Sequence, residues 1–274
     1  MDARAAGRAP GPGDDLRSAA AALLALEDPR TKARAVLQSI DPRRQPCDPR
    51  AAIALLQVGR SASPRLVSPR ALRPRPVHTV EGRAALIHAL AHIELNAINL
   101  GLDIVARFRG LPVAFYTDWF AVARDEARHF LMLEEHLHSL EHRYGDFPAH
   151  DGLWEMAERT RDDLLARLAL VPRTLEARGL DASPLIRDKL ARAGDARGAA
   201  LLDVILADEI GHVATGNRWF RWLCERDGRD PLAAYEELAR AYRAPPPRGP
   251  FNLQARRQAG FTEDELAALA RAAH

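Results

Sequence analysis

The sequence predicts an all-α fold, a four-helix bundle with extra helical segments at both ends. Three observations predict it. From Glu81 onward apolar residues recur at three and four positions over long stretches, the period of one helix face. Strand-like alternation is almost absent. Breaks rich in Gly, Pro and Asp divide the chain into stretches suited to helices of several turns.

The first long helix should run from Gly82 to Phe108 and stop at Gly110, with Pro112 set to open the next. The second covers Pro112 to Arg143 and closes at Tyr144-Gly145-Asp146-Phe147-Pro148. The third begins near Leu153 and reaches at least Arg178, ahead of Gly179 and Pro184. The fourth spans Arg197 to Arg226 and ends at Asp227-Gly228. A shorter helix, Pro231 to Tyr242, a Pro-rich break at Pro245 to Pro250, and a last helix from Thr262 to Ala273 follow. Thr262 and Glu265 have capping-box spacing. On the N-terminal side, Arg17 to Ser39 reads as one or two short helices interrupted at Pro29. Pro42 to Pro76 is rich in Pro and Arg, and only Ala51 to Val58 suits a helical turn or two. A loop this long is either functional or wrapped over the bundle. The implied organisation is an N-terminal extension over 1–80, the bundle over 81–228 and a C-terminal helical extension over 229–274.

With 274 residues, 47% of them apolar, the chain can furnish a substantial core. Its formal charge is +2, and of 39 basic residues only Lys32 and Lys189 are lysines. This Arg-rich habit, without clustering, is not a nucleic-acid footprint. Cys47 and Cys224 lack any paired spacing, which argues against a disulfide framework and a thiolate metal site and makes a reducing compartment the default. Met1 to Asp15 has no apolar region of the secretory kind, and no apolar run approaches the ~20 residues that span a bilayer. The expectation is a soluble, cytoplasmic protein with no membrane partner.

Two helices carry the same motif. Asp125-Glu126-Ala127-Arg128-His129 and Asp208-Glu209-Ile210-Gly211-His212 both read D-E-x-x-H. Residues three apart on a helix share a face, so each Glu and His can reach one ion. Apolar stripes surround both: Trp119, Val122, Ala123, Phe130 and Leu133 around Glu126, and Leu202, Ile205, Leu206 and Val213 around Glu209. A carboxylate in mid-stripe loses its hydration and needs a partner or a metal. A dimetal bundle site also requires one carboxylate from each of the other two helices. Glu94 is the choice in the first, set among Ile87, Leu90, Ala91, Ala97 and Ile98. It lies 32 residues before Glu126 with the midpoint at Gly110, so sixteen residues on either side at ~1.5 Å each place the two opposite one another. In the third helix Glu176 lies 33 residues before Glu209, whereas Glu155, Glu158, Asp162 and Asp163 lie 46 or more away. The near-repeat selects Glu176, with an ion pair to Arg173 or Arg178 as the alternative reading. The candidate metal ligands are therefore Glu94, Glu126, His129, Glu176, Glu209 and His212, in two similar hairpins. His88 and His92 form an H-x-x-x-H pair, but His92 is turned about 160° from Glu94 on a helical wheel and falls off the site. Trp119, Trp219 and Trp222 read as core packing, and His150 and Asp151 as loop residues.

This pattern resembles the ferritin-like dimetal-carboxylate superfamily. The segments His92-Ile93-Glu94-Leu95, Tyr144 to Trp154 and Leu175-Glu176-Ala177-Arg178-Gly179-Leu180-Asp181 are similar to a bacterial ferritin-like domain-of-unknown-function family (number 455), over roughly Pro64 to Asp227. The resemblance implies a four-helix bundle, a di-iron or related site and chemistry with dioxygen or peroxide. Asp125 with Arg128 also resembles the second ExxH helix of bacterial multicomponent monooxygenases, in which the Asp supports a metal-bound His; Gly211 replaces the Arg in the second motif. Asp125 and Asp208 are thus candidates for orienting a His.

Four carboxylates and two imidazoles suit two ions of iron, or manganese as the alternative. The expected function is a di-iron oxidoreductase that oxidises or hydroxylates a small organic substrate, with Glu126 and Glu209 as bridging, catalytic carboxylates. No flavin or nicotinamide fingerprint and no cysteine cluster is present, so an external reductase must supply electrons. One rival is a tRNA-modifying hydroxylase of ferritin-like type, for which Arg60 to Arg75 would supply a basic rim. Another is a ferroxidase or iron-binding protein without organic substrate. Whether the chain pairs as a homodimer stays open.

Overall fold

The computed structural model describes residues 14–39, 41–53 and 57–272. The described chain is all-α; its single extended pairing is an isolated parallel bridge between Leu66 and Ala149. It divides after Asp151 into two compact units. The reading of Met1 to Asp15 falls almost wholly outside the described residues, as does part of the helical turn expected within 51–58.

The first unit is built on an antiparallel hairpin of α3 (Val80–Arg107) and α4 (Val113–Ser139), preceded by α1 (Leu16–Leu24) and α2 (Pro29–Gln38). The Thr79 hydroxyl caps α3 by accepting from Gly82 N at 3.0 Å, which starts the helix two residues before the expected Gly82. Gly110 makes the turn at φ +76°, a conformation that disfavours a side chain. At Gly101 the two helices pack so tightly that an added Cβ would sit 2.9 Å from the Ala123 Cβ. α4 stops at Ser139, short of the expected Arg143, because Glu141 turns to φ 61° and His142 N closes back on the Leu137 carbonyl at 3.0 Å. α3 is long and apolar enough to cross a bilayer, contrary to the sequence reading, yet 78% of its most apolar window is buried within the protein.

The two short helices cover the hairpin, α1 on α3 and α2 on α4. Pro29, expected as an interruption, is the first residue of α2, where its missing N–H costs nothing. The Pro- and Arg-rich stretch after α2 wraps this unit. Gly59 N donates to Leu24 O at 2.9 Å, Gly110 N to Pro49 O at 2.8 Å and Val67 N to Ala149 O at 2.8 Å. Lys32, 1% exposed, donates to Asn99 Oδ1 at 2.6 Å and to Gly59 O at 3.0 Å, and burial lowers it to about 7.

The second unit contains α5 (Gly152–Arg159), α6 (Leu164–Leu170), a π-helical segment (Val171–Glu176), α7 (Ala177–Arg192), α8 (Ala196–Arg226), α9 (Pro231–Ala241), α10 (Leu253–Gln258) and α11 (Glu263–Ala272). The third long helix of the sequence reading is thus broken. Arg167, 1% exposed, donates to the Ala157 carbonyl at 2.6 Å and to Thr160 Oγ1 at 2.9 Å, so the end of α5 is satisfied without a continuous helix. Pro172 cannot donate, and the widened turn around it lets the Thr174 hydroxyl reach Ala169 O at 2.7 Å. The chain then continues helically past Gly179 and through Pro184, where an end was expected. The carbonyl that Pro184 leaves without its helical donor, Leu180 O, accepts from Asn252 Nδ2 at 3.2 Å. Asn252 also caps α10, accepting from Ala255 N at 3.1 Å.

Asn252→Ala should therefore cost roughly 2 kcal/mol in urea unfolding, a lost cap together with an unsatisfied carbonyl. In a Pro184→Ala background the cost should shrink, because residue 184 then supplies the missing N–H. Equal costs in the two backgrounds would show that Asn252 acts through its cap alone.

The remaining boundaries match closely. Asp195 caps α8 through Gly198 N at 2.8 Å, and Asp230 caps α9 through Ala233 N at 2.8 Å. The Thr262–Glu265 capping box forms, with Thr262 N donating to Glu265 Oε2 at 2.8 Å.

Candidate metal centre

Glu94 on α3 and Glu126 and His129 on α4 converge inside the first unit. Glu94 is 4% exposed, and Glu126 and His129 are fully buried. His129 Nδ1 lies 3.3 Å from Glu94 Oε2 and 3.3 Å from Glu126 Oε2. The register counted from Gly110 has the carboxylates facing each other across the hairpin, and the three-residue spacing puts His129 on the same face as Glu126. One ligand atom from each of the three lies within 4.8 Å of the others.

Burial, and then the negative charge of Glu126, hold the Glu94 carboxyl well above the ordinary carboxylate range. Burial opposes a charge on His129 too, but hydrogen bonding to Glu126 and Glu94 outweighs it and raises the imidazole to about 11. Without a metal, then, protons supply the counter-charge for two carboxylates that apolar surroundings would not tolerate as a bare pair. A divalent cation can take over that role. Two carboxylate oxygens and one imidazole nitrogen are a donor set suited to iron, manganese or zinc, so this buried cluster can hold a metal ion.

The signs of these shifts give a pH dependence. His129 is raised above 6.5, so its stabilising contribution is complete below about pH 6.5 and is lost as pH climbs through about 11. The raised Glu94 acts in the same direction, since the fold favours its protonated form. Metal-free protein should therefore melt at a lower temperature at about pH 9 than at about pH 6. Metal loading should offset the loss, because the ligands bind metal only when deprotonated. Differential scanning calorimetry at both pH values, with and without metal, tests this; a metal-free melting temperature that rises with pH would refute it.

Within the second unit, Glu209 and His212 lie on α8 with His212 Nδ1 3.7 Å from Glu209 Oε1, and both are buried. Glu176 ends the π-helical segment and is half-buried. Such widened turns are frequent at functional sites. The sequence signal for it was Pro172 in an otherwise helical apolar run. Asp125 pairs with Arg128 at 3.2 Å on a half-exposed face.

His88 and His92 serve the loop that follows α4. His88 Nε2 accepts from Gly145 N at 2.9 Å, and its ring stacks on Tyr144 with centroids 5.1 Å apart. His92 Nδ1 is 2.7 Å from the Tyr144 hydroxyl, and Asn96 Nδ2 donates to Asp151 Oδ1 at 3.2 Å. Burial lowers both imidazoles to about 4, so the 3.8 Å approach of His92 to Asp151 is not an ion pair at neutral pH. This network could not be read from spacing, because Asn96 lies 48 residues before Tyr144 and 55 before Asp151. Trp119 packs edge-on to Phe115 with centroids 6.4 Å apart, and Trp219 to Trp222 at 5.6 Å.

An uncharacterized protein of Haemophilus influenzae is 50% identical over 210 residues, which cover 74% of this chain and 73% of that protein. No solved structure matches the chain. A family model described as "Protein of unknown function (DUF455)" matches residues 25–267. By that match, which takes in both units and every candidate ligand, the chain belongs to the DUF455 family.

Proposed function

We propose that this protein is a di-iron, or mixed iron and manganese, carboxylate oxidoreductase that uses dioxygen or peroxide to oxidise or hydroxylate a small organic substrate. The buried Glu94, Glu126 and His129 cluster carries this reading: two carboxylates and an imidazole converge where only protons or a cation can balance them. The proposed ligand set adds Glu176, Glu209 and His212. Its support is the second copy of the Glu-x-x-His spacing and the near-equal separations, 32 and 33 residues, to the preceding carboxylates. The proposed fold is a ferritin-like bundle over 81–228.

When bound, the metal pair supplies redox chemistry toward dioxygen or peroxide. The residues of this chain supply the rest. Glu94, Glu126 and His129, with Glu176, Glu209 and His212, would hold the ions, and Glu126 and Glu209 would be the catalytic carboxylates. Ala91, Ala97 and Ile98 on α3 and Val122, Ala123 and Phe130 on α4, all buried, keep water from the Glu94 and Glu126 side. Electrons come from a separate reductase.

Metal analysis tests this on protein purified from cells supplied with iron and manganese, beside a Glu126→Ala, Glu209→Ala double variant. About two metals per chain, lost in the variant, and oxygen uptake on adding a chemical reductant are the expected results. A wild type that is folded and metal-free would overturn the reading.

A further inference from the structure

The second unit holds a cavity that the metal centre does not use. It measures about 440 Å³, within the roughly 300–1,000 Å³ of small-molecule sites. Residues of α7, α9 and α11 and of the Pro-rich stretch after α9 wall it, and Tyr235, Phe251, Phe261 and Leu269 make much of its surface apolar. Five arginines line it against three carboxylates, an excess of two positive charges. Two of the arginines are neutralised in place: Arg256 by Asp181 and Arg173 by Glu265, each at 2.6 Å. Arg173 is 3% exposed, and its Nε has no hydrogen-bond acceptor among the described residues.

Arg178 and Arg248 are different. Arg178 donates to a backbone carbonyl, Pro246 O, at 3.1 Å, and neither arginine has a carboxylate ion pair among the described residues. They also line an adjoining cavity of about 440 Å³, so they stand on the wall that the two share. Two guanidiniums held together beside an apolar cavity have the geometry that recognises an anion.

We propose that this cavity binds a small amphipathic organic anion, its charged head between Arg178 and Arg248 and its apolar body against Tyr235, Phe251 and Phe261. Glu176 is not part of the lining, and binding here needs no metal. The site thus stands or falls independently of the metal centre.

The test uses the full-length protein and two fluorescent probes, the anionic anilinonaphthalene sulfonate and its neutral counterpart N-phenylnaphthylamine. Wild type should bind the anionic dye saturably at one per chain. Reversing the exposed rim charges, Arg178→Glu with Arg248→Glu, should weaken it at least about tenfold, the equivalent of one lost charge-assisted hydrogen bond. The same double variant should keep its affinity for the neutral dye. Ala268→Trp, which fills the cavity, should abolish binding of both. Ala239→Phe on α9 takes its place if circular dichroism shows that the first blocking variant does not fold. No saturable binding to wild type, undiminished anionic-dye affinity in the charge-reversed variant, or full binding in a folded blocked variant would each overturn the assignment.

Discussion

Glu94→Gln should abolish metal binding while leaving the metal-free protein at least as stable as the wild type. Two effects point in opposite directions at this position. A carboxylate oxygen is a hard, charged metal ligand and an amide is not, so the loss should exceed the ~10–100-fold that follows removal of a mere outer-shell partner. In metal-free protein the same carboxyl is a liability. Glu94 is 4% exposed and faces Glu126, and its proton is held well above the ordinary range by burial and by that neighbour. An amide of the same shape needs no counter-charge and can still hydrogen-bond His129. Metal analysis and calorimetry near pH 8 should therefore show an empty variant with an equal or higher metal-free melting temperature. A variant that keeps its metal, or melts well below metal-free wild type, would mean that Glu94 is a structural acid.

Arg17→Ala should cost about 3–5 kcal/mol, the scale of losing two buried hydrogen bonds from a charged donor at ~1.5–3 kcal/mol each. Arg17 is fully buried at the start of α1, with its guanidinium 5.3 Å from the Tyr116 ring. Its Nε donates to Val105 O at 3.1 Å and its Nη2 to Ala106 O at 2.8 Å, carbonyls at the end of α3. Its Nη1 donates to Ala51 O at 2.5 Å. One side chain therefore satisfies two of the C-terminal carbonyls of α3, where the helix dipole favours a cation, and ties the wrapping stretch to the hairpin. Arg17→Lys should recover little, since one ammonium cannot span both groups of carbonyls. Urea unfolding with an unchanged slope is the measurement. A loss below about 1 kcal/mol would show that water replaces the guanidinium there.

Much of the hairpin that carries the cluster could be read from the chain alone. Gly110 and Pro112 mark its turn, and equal counts on either side bring Glu94 to Glu126, because a helix advances by a constant rise per residue. The three-residue spacing of Glu126 and His129, the caps Asp195 and Asp230 and the Thr262–Glu265 box follow equally local rules. Local rules failed where a distant side chain satisfies the backbone. Pro184 reads as a helix end until Asn252, 68 residues later, supplies the missing donor. The break after Arg159 depends on Arg167 folding back, and the burial of Arg17 and Lys32 depends on the distant carbonyls and the Asn99 amide that accept their hydrogen bonds.

The sequence by itself determined the all-α class, the paired Glu-x-x-His motifs and the facing of Glu94 with Glu126, since each depends only on helical period and rise. Only the tertiary structure decided which backbone groups a buried cation or amide completes, where the third long helix breaks and widens, and which arginines are left beside a cavity without a carboxylate. Those outcomes depend on which unsatisfied donors and acceptors meet across tens of residues, and no local pattern records that.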